Sequence, residues 1–297
     1  MNVQPMELTV GNIVRRVLFI IREEFASSSS AEPTQERSSA SPMRDPVSLQ
    51  PSLNTILTRG SADVDYTTPV KSLMSNIMAQ LGELVDELMN SDGFIMDQAV
   101  NHISDNSIIL TFGDSSTVEK FLTSKKMKRH FQVFVAESAP SCGGHRLARA
   151  LAEAGVDTTV IADAAVFALM PRVDKVVLPT QAVMANGGLV TPSGGHMLAL
   201  AAKEHAVPVV CVTGLYKLCP LYPHDLQAEF NELQSPAVVL AGRPGGKMPN
   251  VDIINPAFDY VPPELVDLYV TNTGGHQPSY IYRLLAEYYH PDDQLPY

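Results

Sequence analysis

Near residue 106 the spacing of apolar residues changes, and this change constrains the fold more than any other feature of the chain. Beyond it stand short continuous apolar runs at 108–112, 131–136, 158–161, 175–178, 207–212 and 238–241. Runs of this length without polar alternation are strands buried on both faces. Segments with helical spacing lie between most of them, at 117–126, 145–154, 163–169 and 196–205. Strand, helix, strand in repeated order implies right-handed crossovers and a doubly wound sheet. A last apolar run at 266–270 precedes Gly274-Gly275 and a helix over 279–289. The fold class is therefore α/β, with an N-terminal helical segment followed by a Rossmann-like, doubly wound, mostly parallel sheet.

Before residue 106 the pattern is helical. Val10, Ile13, Val14, Val17, Leu18 and Ile21 recur at three- and four-residue steps, with Arg15, Arg16, Arg22 and Glu23 on the opposite face. This predicts an amphipathic helix within residues 1–26. Residues 27–62 are rich in Ser and Pro and read as a linker. Residues 63–105 read as helical. One helix opens at Thr68-Pro69 and carries Val70, Leu73, Met74, Ile77, Leu81, Leu84, Val85 and Leu88; another follows Asp92. The α/β domain takes 106–297.

The net charge of −11 argues against nucleic acid as a direct partner, since phosphate neutralisation needs clustered Lys and Arg. Lys125, Lys126, Lys128 and Arg129 are the one dense basic run, and they read as a solvated helix end. Three cysteines without a CxxC pair fit a reducing compartment. The apolar segment 10–21 is interrupted by Arg15 and Arg16 and is too short for a membrane span. Without a visible signal peptide, the expected location is the cytosol, with no membrane partner.

In such a sheet, ligands bind in loops at the carboxyl ends of the strands. These loops hold Gly113-Asp-Ser-Ser-Thr117, Glu137-Ser-Ala-Pro140, Pro179-Thr-Gln-Ala182 and Asn186-Gly-Gly188. The first reads as an ordinary helix cap. Gly-Gly-His occurs at 143–145, 194–196 and 274–276, each before an expected helix. Tight turns explain these glycines better than a three-histidine zinc site, so no metal is expected. Cys142 lies too close in sequence to His145 to promise a nucleophile–base pair and reads as structural. The stretch 242–247 lacks the glycine and the Ser/Thr of a phosphate loop. No cofactor is implied. Phe258, Tyr260, Tyr280 and Tyr282 are candidate subunit-interface residues, because tyrosine pairs an apolar body with one polar tip.

Several stretches resemble the alpha/beta/delta regulatory subunit family of eukaryotic translation initiation factor two B, its beta members above all. They are Phe-Asp-Tyr-Val-Pro-Pro-Glu-Leu (258–265), Gly-Gly-His-Gln-Pro-Ser-Tyr-Ile-Tyr-Arg-Leu-Leu (274–285) and Tyr-His-Pro-Asp-Asp (289–293). The resemblance continues in 10–18, 162–170 and 198–203. It implies a regulatory subunit of the complex that exchanges GDP for GTP on the factor delivering initiator methionyl-tRNA. The implied partners are the alpha, delta, gamma and epsilon types of subunit and the substrate factor, notably its alpha subunit. The exchange reaction itself belongs to epsilon.

The family shares its fold with methylthioribose-1-phosphate isomerase, which provides a residue-level test of catalysis. The isomerase cysteine falls on Gly113, its aspartate on Gln181, its phosphate-gripping arginine on Ala139 and its Asn-Lys on Thr191-Pro192; Glu137 and Asn186-Gly187 survive. Isomerisation needs a proton donor and acceptor, and Gly and Gln supply neither. The expectation is a non-enzyme with a vestigial pocket at Gly113, Asp114, Glu137, Gln181, Asn186 and Gly187. The alternatives are a sugar-phosphate or nucleotide sensor and an aldose–ketose phosphate isomerase.

Overall fold

The computed structural model describes residues 7–30, 73–124, 129–223, 231–240, 250–290 and 293. The linker beyond Ser30, the Thr68-Pro69 helix start, Lys125, Lys126, Lys128 and the 242–247 turn fall outside them.

Two long helices come first, α1 (Leu8–Ser30) and α2 (Leu73–His102). The α/β part follows: β1 (Ile108–Phe112), α3 (Ser116–Leu122), β2 (Gln132–Ala136), α4 (Gly143–Glu153), β3 (Asp157–Ile161), α5 (Val166–Leu169) and β4 (Lys175–Pro179). Then come β5 (Ala182–Val183), β6 (Leu189–Pro192), α6 (Gly195–Glu204), β7 (Val209–Val212), β8 (Phe258–Val261), β9 (Leu268–Thr271), β10 (Gly274–His276) and α7 (Ile281–Tyr288).

The main sheet has the order β10-β9-β7-β4-β1-β2-β3, and only β10 runs antiparallel. Strand succession turns back on either side of β1, between β2 and β4. This switch point opens a crevice beyond their carboxyl ends. The pleat sends alternate side chains to opposite faces. Leu110, Phe112, Phe134, Leu178 and Cys211 pack with buried residues of α6 and α7. Ile109, Val133, Val135, Val177 and Val210 pack with α3, α4 and Ile95, Ala99 and Ile103 from the α2 end.

Several expectations need correction. The two helices expected around Asp92 are one. Leu84, Ser91, Ile95 and Ala99 keep a single buried stripe through Asp92-Gly93, and packing overrides the glycine. Helix α1 takes in Ser27–Ser30, assigned above to the linker. Its faces also depart in part from the expected ones. Val10 and Val14 are exposed, while Arg15 is 1% exposed. Arg16 lies over the Tyr288 ring at 4.2 Å and donates to the Tyr288 carbonyl, and Arg22 meets Asp293 at 2.8 Å. Arg16 and Arg22 dock on the C-terminal part of the chain, where Tyr288 offers a ring and a carbonyl and Asp293, beyond α7, a buried carboxylate. Residues 238–240 form a turn, with Val238 and Val239 exposed, so β-branched composition alone did not make a strand. The third Gly-Gly-His is itself an edge strand, β10. A second sheet, β5-β6-β8, is antiparallel and was not expected. It packs Ala182, Met184 and Val190 with Leu8 and Cys219, and Phe258 and Tyr260 lie against that cluster.

Candidate functional site

Gly113 ends β1 with φ +71°, a left-handed backbone that suits glycine. A Cβ there would meet only Pro192 at 3.9 Å and Ser138 at 4.0 Å, so the space beside Gly113 is open. Asp114 is held by Arg146, at 2.5 Å from Nε to Oδ2 and through a second bond, and Arg146 also reaches Glu119 at 3.2 Å. Ser115 caps α3, its hydroxyl accepting from the Val118 N–H, as expected for a plain helix start.

Two carboxylates that the sequence reading passed over accept backbone N–H groups at this edge of the sheet. Asp163 accepts from the backbone N–H groups of Ser138 (2.9 Å) and Ala139 (2.7 Å). Asp259 Oδ2 accepts from the N–H groups of Gly194 (2.6 Å) and His196 (3.4 Å) at the start of α6. A helix N-terminus favours an anion, and here the protein supplies its own. The partners lie far apart in sequence, so no local pattern announces either contact.

The remaining pocket residues are spent in the same way. Gln181 donates to Glu7 at 3.1 Å. Asn186 donates to the Tyr260 hydroxyl at 2.6 Å and accepts from the Gly188 N–H at 3.0 Å, closing a turn. Burial pushes the Tyr260 hydroxyl pKa up. Gly187, φ +80°, gives its carbonyl to buried Tyr269 at 2.5 Å. Lys217, its pKa lowered by burial, donates to the Thr180 carbonyl at 2.8 Å. Gly113 faces Pro192 and Ser138, whereas Asn186 reaches Tyr260 of the second sheet and Gly187 meets Tyr269 of the main one. A groove of about 740 Å³ does open nearby, between α5 and α6, lined by Phe167, His196, Met197, Leu200 and Asp259 among others. Another cavity, of about 600 Å³, lies at the amino edge of the sheet beside Ile108, Gln132 and Asp157, away from the crevice.

The three Gly-Gly-His histidines have separate surroundings. His276 stacks on Tyr280 and meets the Thr273 hydroxyl at 3.0 Å, while the His196 N–H binds Asp259. His145 instead gathers with Glu137 and Cys142, their ligand atoms within 4.8 Å of one another. Of the interface candidates, Tyr282 is exposed and Tyr280 is partly buried against the core beneath Arg283.

A model of the initiation factor 2 subunit family matches residues 1–278. The chain belongs to this family. It is 44% identical to translation initiation factor eIF2B subunit beta of Dictyostelium discoideum, over 99% of this chain and 82% of that protein. A more distant relative, ribose 1,5-bisphosphate isomerase of Pyrococcus furiosus, is 28% identical over 81% of this chain and 75% of its own. The crystal structure of the tetrameric eIF2B-beta2-delta2 complex from C. thermophilum superposes with a TM-score of 0.66 at 30% identity, covering 96% of this chain and 75% of that one. Among the described residues no helix is long and apolar enough to cross a membrane.

Proposed function

We propose that this chain is a non-catalytic, beta-type regulatory subunit of the complex that exchanges guanine nucleotide on the factor delivering initiator methionyl-tRNA. The carrying observation is the likeness to eIF2B subunit beta over nearly the whole chain, and Asp163 and Asp259 support it by accepting the backbone N–H groups of Ser138, Ala139, Gly194 and His196. Cysteine and aspartate are also missing at Gly113 and Gln181, so proton transfer has no agent. What remains for function is surface. Met74, Met78, Val85 and Met89 lie exposed along α2, and Val10 and Val14 along α1. Apolar faces of this kind mark protein contacts, and methionine adapts well to them.

In this reading the helices up to about residue 105 meet the substrate factor, notably its alpha subunit. The domain from 106 onward builds the oligomer with the alpha, delta, gamma and epsilon types of subunit in the cytosol. Tyr282, with Tyr280 beside it, contributes to a subunit contact; Phe258 and Tyr260 support it from the second sheet. The pocket at Gly113, Asp114, Glu137, Gln181, Asn186 and Gly187 is vestigial.

Co-expression with delta-type and alpha-type subunits, followed by size exclusion with light scattering, tests this. The chain is expected to migrate in one complex with them, and Tyr282→Glu is expected to weaken that complex while leaving the chain folded. A stable monomer in the presence of both partners refutes the reading.

A further inference from the structure

We propose that Glu137, Cys142 and His145 form a binding site for a soft divalent transition metal, zinc foremost. The site lies where β2 hands the chain to α4 and is independent of the proposed function. The three ligand atoms lie within 4.8 Å of one another, and His145 Nε2 stands 3.7 Å from Glu137 Oε2. Around a tetrahedral ion with bonds of about 2.0–2.3 Å, neighbouring ligand atoms are about 3.3–3.7 Å apart. The carboxylate–imidazole pair is already at that separation, and the sulfur needs only a side-chain rotation to join it.

The backbone that carries the ligands is tied down. The Glu137 N–H donates to the Ile161 carbonyl at 3.0 Å, and the Cys142 N–H to the Ser138 carbonyl at 2.9 Å. Asp163 holds Ser138 and Ala139 between them. Cys142 stands in the left-handed region at φ 54°, and this conformation turns the chain back so that a cysteine and a histidine three residues apart meet the end of the strand.

The donor set decides the class of ion. A thiolate, an imidazole and a carboxylate suit zinc and its neighbours, whereas magnesium and calcium ask for oxygen. One thiolate and one carboxylate cancel the charge of a divalent ion. The nearest cation, Arg146, is bound to Asp114 and Glu119 and does not compete for Glu137. Three protein ligands leave the fourth position to water or to an incoming group, and His145 is exposed there.

Cobalt(II) tests the site in the full chain, because it follows zinc into thiolate sites and is visible. After stripping with a chelator, one equivalent of Co²⁺ is expected to give a sulfur-to-cobalt charge-transfer band and visible bands of tetrahedral intensity, both abolished by Zn²⁺. Cys211 and Cys219 are buried, and burial pushes the Cys219 thiol up to about 11 and Cys211 higher still, so the sulfur signal reports Cys142. Cys142→Ser is expected to remove the charge-transfer band. His145→Gln and Glu137→Gln are each expected to lower Zn²⁺ affinity more than about 100-fold, beyond the loss of an outer-shell partner. Absence of the band at one equivalent, or a band unchanged in Cys142→Ser, overturns the proposal.

Discussion

Helix propensity and steric packing predict opposite results for Gly144→Ala. Gly144 sits in the first turn of α4 with ordinary helical φ, so propensity alone favours alanine by about 1 kcal/mol. A Cβ at this position would lie 2.1 Å from the Ala136 carbonyl oxygen and 3.0 Å from the Glu137 Cα. Both neighbours are backbone at the end of a central strand and cannot swing away. The start of α4 must retreat by about 1 Å, and a gap of that size forfeits roughly a quarter to a half of each contact's attraction. Leu147, Ala148 and Leu151 are buried from this helix, and each leucine contributes about 1.5–3 kcal/mol. The retreat also lengthens the bond from the Gly144 N–H to the Glu137 carbonyl, now 3.1 Å and worth about 1 kcal/mol. The expected loss is about 3 kcal/mol or more, lowering Tm by at least about 6 °C. Gly155→Ala is the control: φ is +85° with open space around it, so it should cost only about 1 kcal/mol, for the backbone alone. Urea denaturation of both variants gives the answer. Gly144→Ala equal to or more stable than the parent refutes the close-approach argument.

Three further outcomes follow from single contacts. Tyr269→Phe strands the buried Gly187 carbonyl and should cost about 1–3 kcal/mol in denaturant unfolding, with the slope unchanged. Burial, with Lys175 adding to it, holds the His102 pKa below its ordinary 6.5, so the unfolded chain takes up the proton first. The His102 contribution is therefore complete above about pH 6.5 and is lost as pH falls through the lowered folded value; thermal melts of His102→Gln should show a flatter acid limb. Native protein should react with a neutral alkylating reagent at one thiol, Cys142, and unfolded protein at three, as counted by intact mass.

How far the sequence could be read depended on the range of the forces involved. β1, β2, β4 and β7 were legible to within two residues because central strands are covered on both faces and read as unbroken apolar runs. The second sheet was not, since β5 has two residues, β6 ends in Pro192, and the pairing of β6 with β8 spans the chain between Pro192 and Phe258. Arg16 and Arg22 were set on the face away from the core because periodicity counts apolar residues and not the ring, carbonyl and carboxylate that meet them from the C-terminal part of the chain. At the site, Gly113, Glu137 and Gln181 were correctly placed at strand ends by position in the pattern. The plugs were invisible: an aspartate at residue 163 or 259 looks like any surface carboxylate until the fold brings it to the N–H groups of Ser138 or Gly194. The gathering of Glu137, Cys142 and His145 was likewise hidden, because it depends on one left-handed residue.

The direct measurement is turnover. Purified chain, alone and assembled with its partner subunits, is incubated with ribose 1,5-bisphosphate and with methylthioribose 1-phosphate, and the ketose product is followed by NMR. No conversion above the buffer rate is predicted, as befits a non-catalytic regulatory subunit. Conversion at enzymatic speed that survives repurification contradicts the account.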